Sequence, residues 1–172
     1  MIFFLGNIYE DDFLKKNNKF SPAASTWLNN FIKNLKLKVK IISFYYQPFF
    51  PFGKFYINKK NFSKFKNKKY LNYINLPLLR AKIIEKKILE ELAKYKKKNI
   101  TLITYNFSPI ILSILKKINR KKVNWISICA DYDTKNQKEI FKKIKNSNIN
   151  IFLSKVSYDA YKYKNKIYFN FF

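Results

Sequence analysis

The sequence predicts an α/β fold built on a mostly parallel sheet with helices on both faces. Three observations predict it. Short apolar, β-rich runs recur along the chain, each is followed by a stretch with apolar residues at helical spacing, and the two kinds of segment alternate from one end to the other. Residues 100–133 are the clearest case. ITLITYN reads as a strand, SPIILSILKKI as an amphipathic helix, and VNWISICADYD as a second strand ending in two acids.

Ile2 to Leu5 form a continuous apolar run closed by Gly6, the pattern of a parallel strand buried on both faces. A polar loop leads to Ser21 and Pro22, which open a helix: serine is a favoured N-cap, and proline at the first helical position loses no hydrogen bond. Ala24, Trp27, Leu28, Phe31 and Leu35 then repeat at helical spacing and predict a buried face. Residues 39–46 supply the next strand.

Residues 47–69, with Pro48, Pro51 and Gly53 ahead of a Lys- and Asn-rich stretch, read as a long excursion. The aromatics Phe44, Tyr45, Tyr46, Phe49, Phe50 and Phe52 are able to stack on sugars or bases, but their expected place is a strand continuing into a packed loop. Residues 70–74 return to the sheet. Pro77 starts a helix with an apolar stripe of Ala81, Ile84, Ile88, Leu92 and Tyr95, its other face carrying lysines with Glu85, Glu90 and Glu91.

The helix after the strand at Ile100 again opens on Ser-Pro, at Ser108 and Pro109. Residues 136–145 predict a helix, 150–154 a strand, 156–161 a short helical turn and 166–169 a last strand. The order as a whole predicts a Rossmann-like sheet, with 1–172 as one domain. Sheets of this kind bind ligands at the carboxyl ends of their strands.

That edge collects the candidate binding residues. Gly6 and Asn7 follow the first strand, and Thr104, Tyr105 and Asn106 follow the strand from Ile100. Asp131 and Asp133 follow the next, while Ser21 and Ser25 add a helix amino terminus whose N–H groups suit a phosphate or a sugar hydroxyl. Gly6-Asn7 lacks both the three-glycine dinucleotide fingerprint and the GK[ST] ending of a P-loop, and a glycine that merely ends a strand is the simpler reading. Asn106 serves equally well as a helix cap or a ligand contact. The two aspartates suit sugar hydroxyls, a metal ion, the role of a base or an ordinary Asp turn; paired-acid glycoside hydrolysis needs a defined separation across the bond that adjacency in sequence does not supply.

With 36 Lys plus Arg against 10 Asp plus Glu the net charge is +26, which by itself suggests nucleic acid or an anionic surface. Yet Arg80 and Arg120 are the only arginines, and arginine supplies the bidentate and stacking contacts that nucleic-acid sites favour. The abundance of Lys, Asn, Ile, Phe and Tyr also matches codons poor in guanine and cytosine, as an AT-rich genome favours. Solvated lysine faces are therefore expected over a nucleic-acid face. With no His and the single Cys129, the common zinc sites and an internal disulfide are excluded. No metal site and no cofactor are expected.

MIFFLGNIYEDD lacks the basic start of a signal peptide, and the longest uncharged run, residues 99–115, falls short of the roughly 20 apolar residues a membrane helix needs. The expected location is cytoplasmic, with peripheral contact to the inner membrane face as its variant.

ITYNFSPI, VNWISICADYD, INIFLSKVSYDAY and KIYF, together with the opening strand, SPAASTWLNNFIKNL and VKIISFY, resemble the amino-terminal half of family 4 glycosyltransferases of the GT-B fold. The resemblance implies an acceptor-side domain that needs a donor-binding carboxyl-terminal domain, expected to be absent here, to be active. The complete activity would move a sugar from a nucleotide sugar to a hydroxyl of a glycan, lipid-linked or protein acceptor, with retention of configuration and without a protein-bound metal. Gly6 and Asn7 would admit backbone amides to the ligand, and Asn106, Asp131 and Asp133 would orient acceptor hydroxyls. The catalytic residue is left open, with Asp131 the candidate. The alternative function is a basic module binding RNA or an anionic membrane.

Overall fold

The computed structural model describes residues 1–6, 8, 22–35, 38–44, 48–57, 68–95, 98–106, 109–118, 123–130 and 137–169. In chain order its elements are β1 (Ile2–Leu5), α1 (Pro22–Asn34), β2 (Val39–Ser43), β3 (Tyr56–Ile57), β4 (Lys68–Tyr70), β5 (Tyr73–Ile74), α2 (Leu79–Ala93), β6 (Ile100–Tyr105), α3 (Pro109–Lys117), β7 (Val123–Cys129), α4 (Gln137–Ile144), β8 (Ile149–Phe152), α5 (Lys155–Ala160) and β9 (Lys166–Tyr168). The fold is α/β with a parallel sheet and is Rossmann-like, as the alternating pattern predicts. No helix among the described residues is long and apolar enough to cross a membrane.

The chain divides into two compact units, Met1–Leu5 with Leu89–Phe172, and Gly6–Ile88. In the first, β1, β6, β7, β8 and β9 lie side by side in that order, all parallel. From β6 onward each strand is joined to its neighbour through one helix, the repeated crossover that keeps strands parallel. Phe3, Phe4 and Leu5 are each no more than 1% exposed. Because successive strand residues point to opposite faces, such a run means that both faces of β1 are covered. Leu102, Trp125, Ile128 and Phe152 continue the core.

Its distal part is an aromatic cluster. Tyr161, fully buried, packs 5.1 Å from Phe141 and 5.0 Å from Phe152, and its hydroxyl accepts from Asn150 Nδ2 at 2.8 Å. Lys166 Nζ donates to the carbonyls of Tyr158 and Tyr161 at 2.8 and 2.7 Å while lying 4.3 Å from the Tyr158 ring centre. Ser154 caps α5, its hydroxyl accepting from the Ser157 N–H.

The second unit holds α1, the parallel pair β2 and β4, the antiparallel pair β3 and β5, and α2 up to Ile88. Several expectations are corrected here. The buried face of α1 is carried by Leu28 and Ile32; Trp27 and Phe31 are half-buried and stack on each other at 5.1 Å. The stripe of α2 starts at Ile84, since Ala81, in the first turn of the helix, is exposed. β2 ends at Ser43. Of the returning segment only Tyr70 belongs to a strand paired with β2, whereas Tyr73 and Ile74 pair with Tyr56 and Ile57 in a separate ladder.

The largest correction concerns the aromatic loop. Phe44 is buried, but Phe49, Phe50 and Phe52 are exposed, because the prolines at 48 and 51 end the strand pattern and leave no regular surface for these rings to lie on. Tyr45 and Tyr46 lie outside the described residues.

Candidate functional site

The carboxyl ends of β6 and β7 are tied together by one residue. Asn106 follows β6 directly and has φ of 49°, the left-handed region that asparagine tolerates better than most residues. Its N–H donates to the Ile128 carbonyl at 2.8 Å, and its side-chain Oδ1 accepts from the Ala130 N–H at 2.9 Å. The amide oxygen therefore extends the ladder one residue past the regular pairing of Tyr105 with Ile128. It fixes the strand end that leads into residue 131.

Thr104 serves a different purpose. It is 1% exposed, and its hydroxyl accepts from the Trp125 indole N–H at 2.9 Å, so it satisfies a buried donor in the core and does not face a cleft. Tyr105, on the opposite face of the strand, is half-buried. The Thr104–Trp125 partnership is the kind of relation sequence reading misses, since only the register of β6 against β7 brings the two together.

Gly6 belongs to the second unit, where its N–H donates to the Ile42 carbonyl at 3.3 Å. The next described amide, that of Ile8, donates to Ser43 Oγ at 3.3 Å, and the Ile8 carbonyl accepts from the buried ammonium of Lys68 at 3.0 Å. Gly6 is buried, so its amide closes internal structure instead of approaching a ligand. Lys68 also lies 4.5 Å from the ring centre of Tyr70. Its position in a Lys-rich stretch hid it from the sequence pattern.

Asn7, Ser21, Asp131 and Asp133 lie outside the described residues, and of Ser25 only the helical backbone is described. Among the described residues no three or more His, Cys, Asp or Glu side chains are grouped to hold a metal ion. Cys129, at the end of β7, is buried, and that burial pushes its thiol up from 9.0 to about 11, with the contact to Ser127 Oγ acting weakly in the opposite direction. A thiol held protonated in this way is a poor nucleophile.

Comparison of the chain with family models, with curated proteins and with solved structures finds no match.

Proposed function

We propose that this chain is the acceptor-side domain of a retaining glycosyltransferase, working together with a donor-binding domain that carries the nucleotide sugar. The observation that carries the reading is the tie between Asn106 and Ala130. It stiffens the carboxyl edge of a parallel sheet, where such folds place their ligands, and it anchors the residue from which Asp131 and Asp133 depart. Those carboxylates would accept hydrogen bonds from acceptor hydroxyls, and Asp131 would stand nearest the fixed strand end. Thr104 and Gly6 are structural in this reading, and the acceptor contacts fall to the segment after β7.

The test joins the chain to a complementary donor-binding half and follows sugar transfer to a hydroxyl acceptor. Asp131→Ala is expected to lower kcat/KM by at least about tenfold. Asn106→Asp, which keeps an acceptor for the Ala130 N–H, should retain more activity than Asn106→Gly, which keeps the left-handed backbone but loses that acceptor. Equal rates for all three variants and the parent would refute the assignment.

A further inference from the structure

We propose that residues 48–57 form a surface anchor that inserts aromatic side chains into an anionic lipid bilayer. The inference rests on exposure, scaffold and charge in the second unit and is independent of sugar transfer. Phe52 is 90% exposed, and Phe49, Phe50, Phe55 and Tyr56 are all exposed along the same ten-residue stretch. Single exposed apolar residues are ordinary, but a contiguous run of them marks an interaction surface.

The rings are held out by a built scaffold. Asn75, fully buried, donates from Nδ2 to the carbonyls of Pro48 and Lys54 at 2.7 and 3.0 Å, and its Oδ1 accepts from Arg80 at 3.2 Å. Its backbone N–H donates to the Phe55 carbonyl at 2.7 Å, and its own carbonyl accepts from the Phe50 N–H at 3.2 Å. One side chain and its peptide thus bind both arms of the loop. Gly53 completes the turn, with its N–H donating to the Phe49 carbonyl at 2.9 Å. A loop fixed before binding loses little further entropy when its rings enter a second phase.

Charge selects the occupant. The chain carries +26, and exposed lysines lie within the loop at Lys54 and at the start of α2 at Lys82, two residues after the Arg80 that stacks on Phe49. Diffuse lysine charge suits a field of lipid phosphates, each cation near such a surface adding to the attraction. RNA is the other polyanion that aromatic rings attract, but recognition there favours arginine. Arg80 is engaged inside the scaffold, stacked 3.8 Å from the Phe49 ring centre and donating to Asn75. The most exposed ring is that of a phenylalanine, which has no polar group to match to a base or a protein partner and is best satisfied in hydrocarbon.

The test is co-sedimentation of the full chain with vesicles of phosphatidylcholine alone and of equimolar phosphatidylcholine and phosphatidylglycerol, with a single-stranded RNA oligonucleotide titrated in parallel. Binding to the anionic vesicles and not the neutral ones is expected, and Phe52→Ser should weaken it by about tenfold while leaving the thermal unfolding midpoint unchanged. In Phe52→Trp the added indole should shift to the blue on anionic vesicles and be quenched by lipids brominated in the acyl chain. Vesicle binding undiminished in Phe52→Ser, equal binding to neutral vesicles, indole emission in Phe52→Trp that the brominated lipids leave unquenched, or binding to RNA alone would each overturn the proposal. Sugar transfer by a completed enzyme in detergent-free solution bears on the other reading alone, so the two fail separately.

Discussion

In the first unit Phe141, Phe152, Tyr158, Tyr161, Tyr163 and Tyr168, from α4, α5, β8, β9 and the residues between them, pack ring against ring with centroids 5.0 to 6.4 Å apart. In the second unit an aromatic stretch, residues 49–56, leaves Phe52 90% exposed and its other rings partly exposed, with Phe50 and Phe55 edge to face at 5.6 Å. Both stretches are rich in aromatic rings, but Phe152 and Tyr161 are fully buried whereas Phe52 is exposed. Rings on strands and helices inherit a direction from the backbone, and α5 and its C-cap deliver Tyr158 and Tyr161 to the side of Phe152. Phe49, Phe50 and Phe52, between two prolines and a glycine, stand on no strand or helix, and there the hydrogen bonds of Asn75 set the conformation.

The contrast breaks most visibly at Phe152. Its truncation in Phe152→Ala leaves a cavity among packed rings and should lower unfolding free energy by about 3–5 kcal/mol in a denaturant titration. A loss under about 1 kcal/mol would mean that the cluster is not a close-packed core.

Alkaline pH separates the regions next. Burial raises the Cys129 thiol to about 11, and it also raises the Tyr161 phenol, to which a Cys129 thiolate would add repulsion. Both groups are neutral when protonated, and the folded state holds their protons more tightly than the unfolded chain does. Their stabilisation is therefore fully present below pH 9.0, the ordinary thiol value, and is lost as pH rises through about 11. Cys129 alone accounts for roughly 2–3 kcal/mol of that loss. Stability measured across this range should fall, and the fall should shrink in Cys129→Ala; a flat profile would contradict the burial of these groups.

The loop gives the smallest change, and the most local one. A Cβ on Gly53 would collide with the Pro48 carbonyl oxygen, so Gly53→Ala has to displace backbone. Because the clash touches a surface turn, about 1–2 kcal/mol is expected, read as faster amide exchange at Phe50, Gly53 and Asn75 with the aromatic cluster of the first unit unaffected. Exchange rates equal to the parent's would show that the turn is looser than its contacts imply.

Much of this architecture was legible in the chain. Continuous apolar runs identify β1, β6 and β7, and Pro22 and Pro109 begin α1 and α3 as helix-opening prolines should. What stayed hidden was short or polar. β3, β4 and β5 have two or three residues each, too few for any period, and β4 begins on two lysines, one of them buried. The candidate site divides in the same way. Its place at a strand end follows from the alternation of elements, but the role of each polar side chain depends on register, which makes Thr104 a partner of Trp125 and Asn106 a partner of Ala130. Asp131 and Asp133, on which the proposed chemistry depends, fall outside the described residues.

Asn75 has one more implication. The groups that hold the loop, namely the Asn75 amide, the Arg80 guanidinium and the tight approach at Gly53, are different from the group that protrudes furthest, the ring of Phe52. Shape and display are encoded at separate positions. Residue 52 can therefore be exchanged over evolutionary time, or in the laboratory, to retune what the loop touches, while residue 75 is fixed as long as the loop is to exist at all.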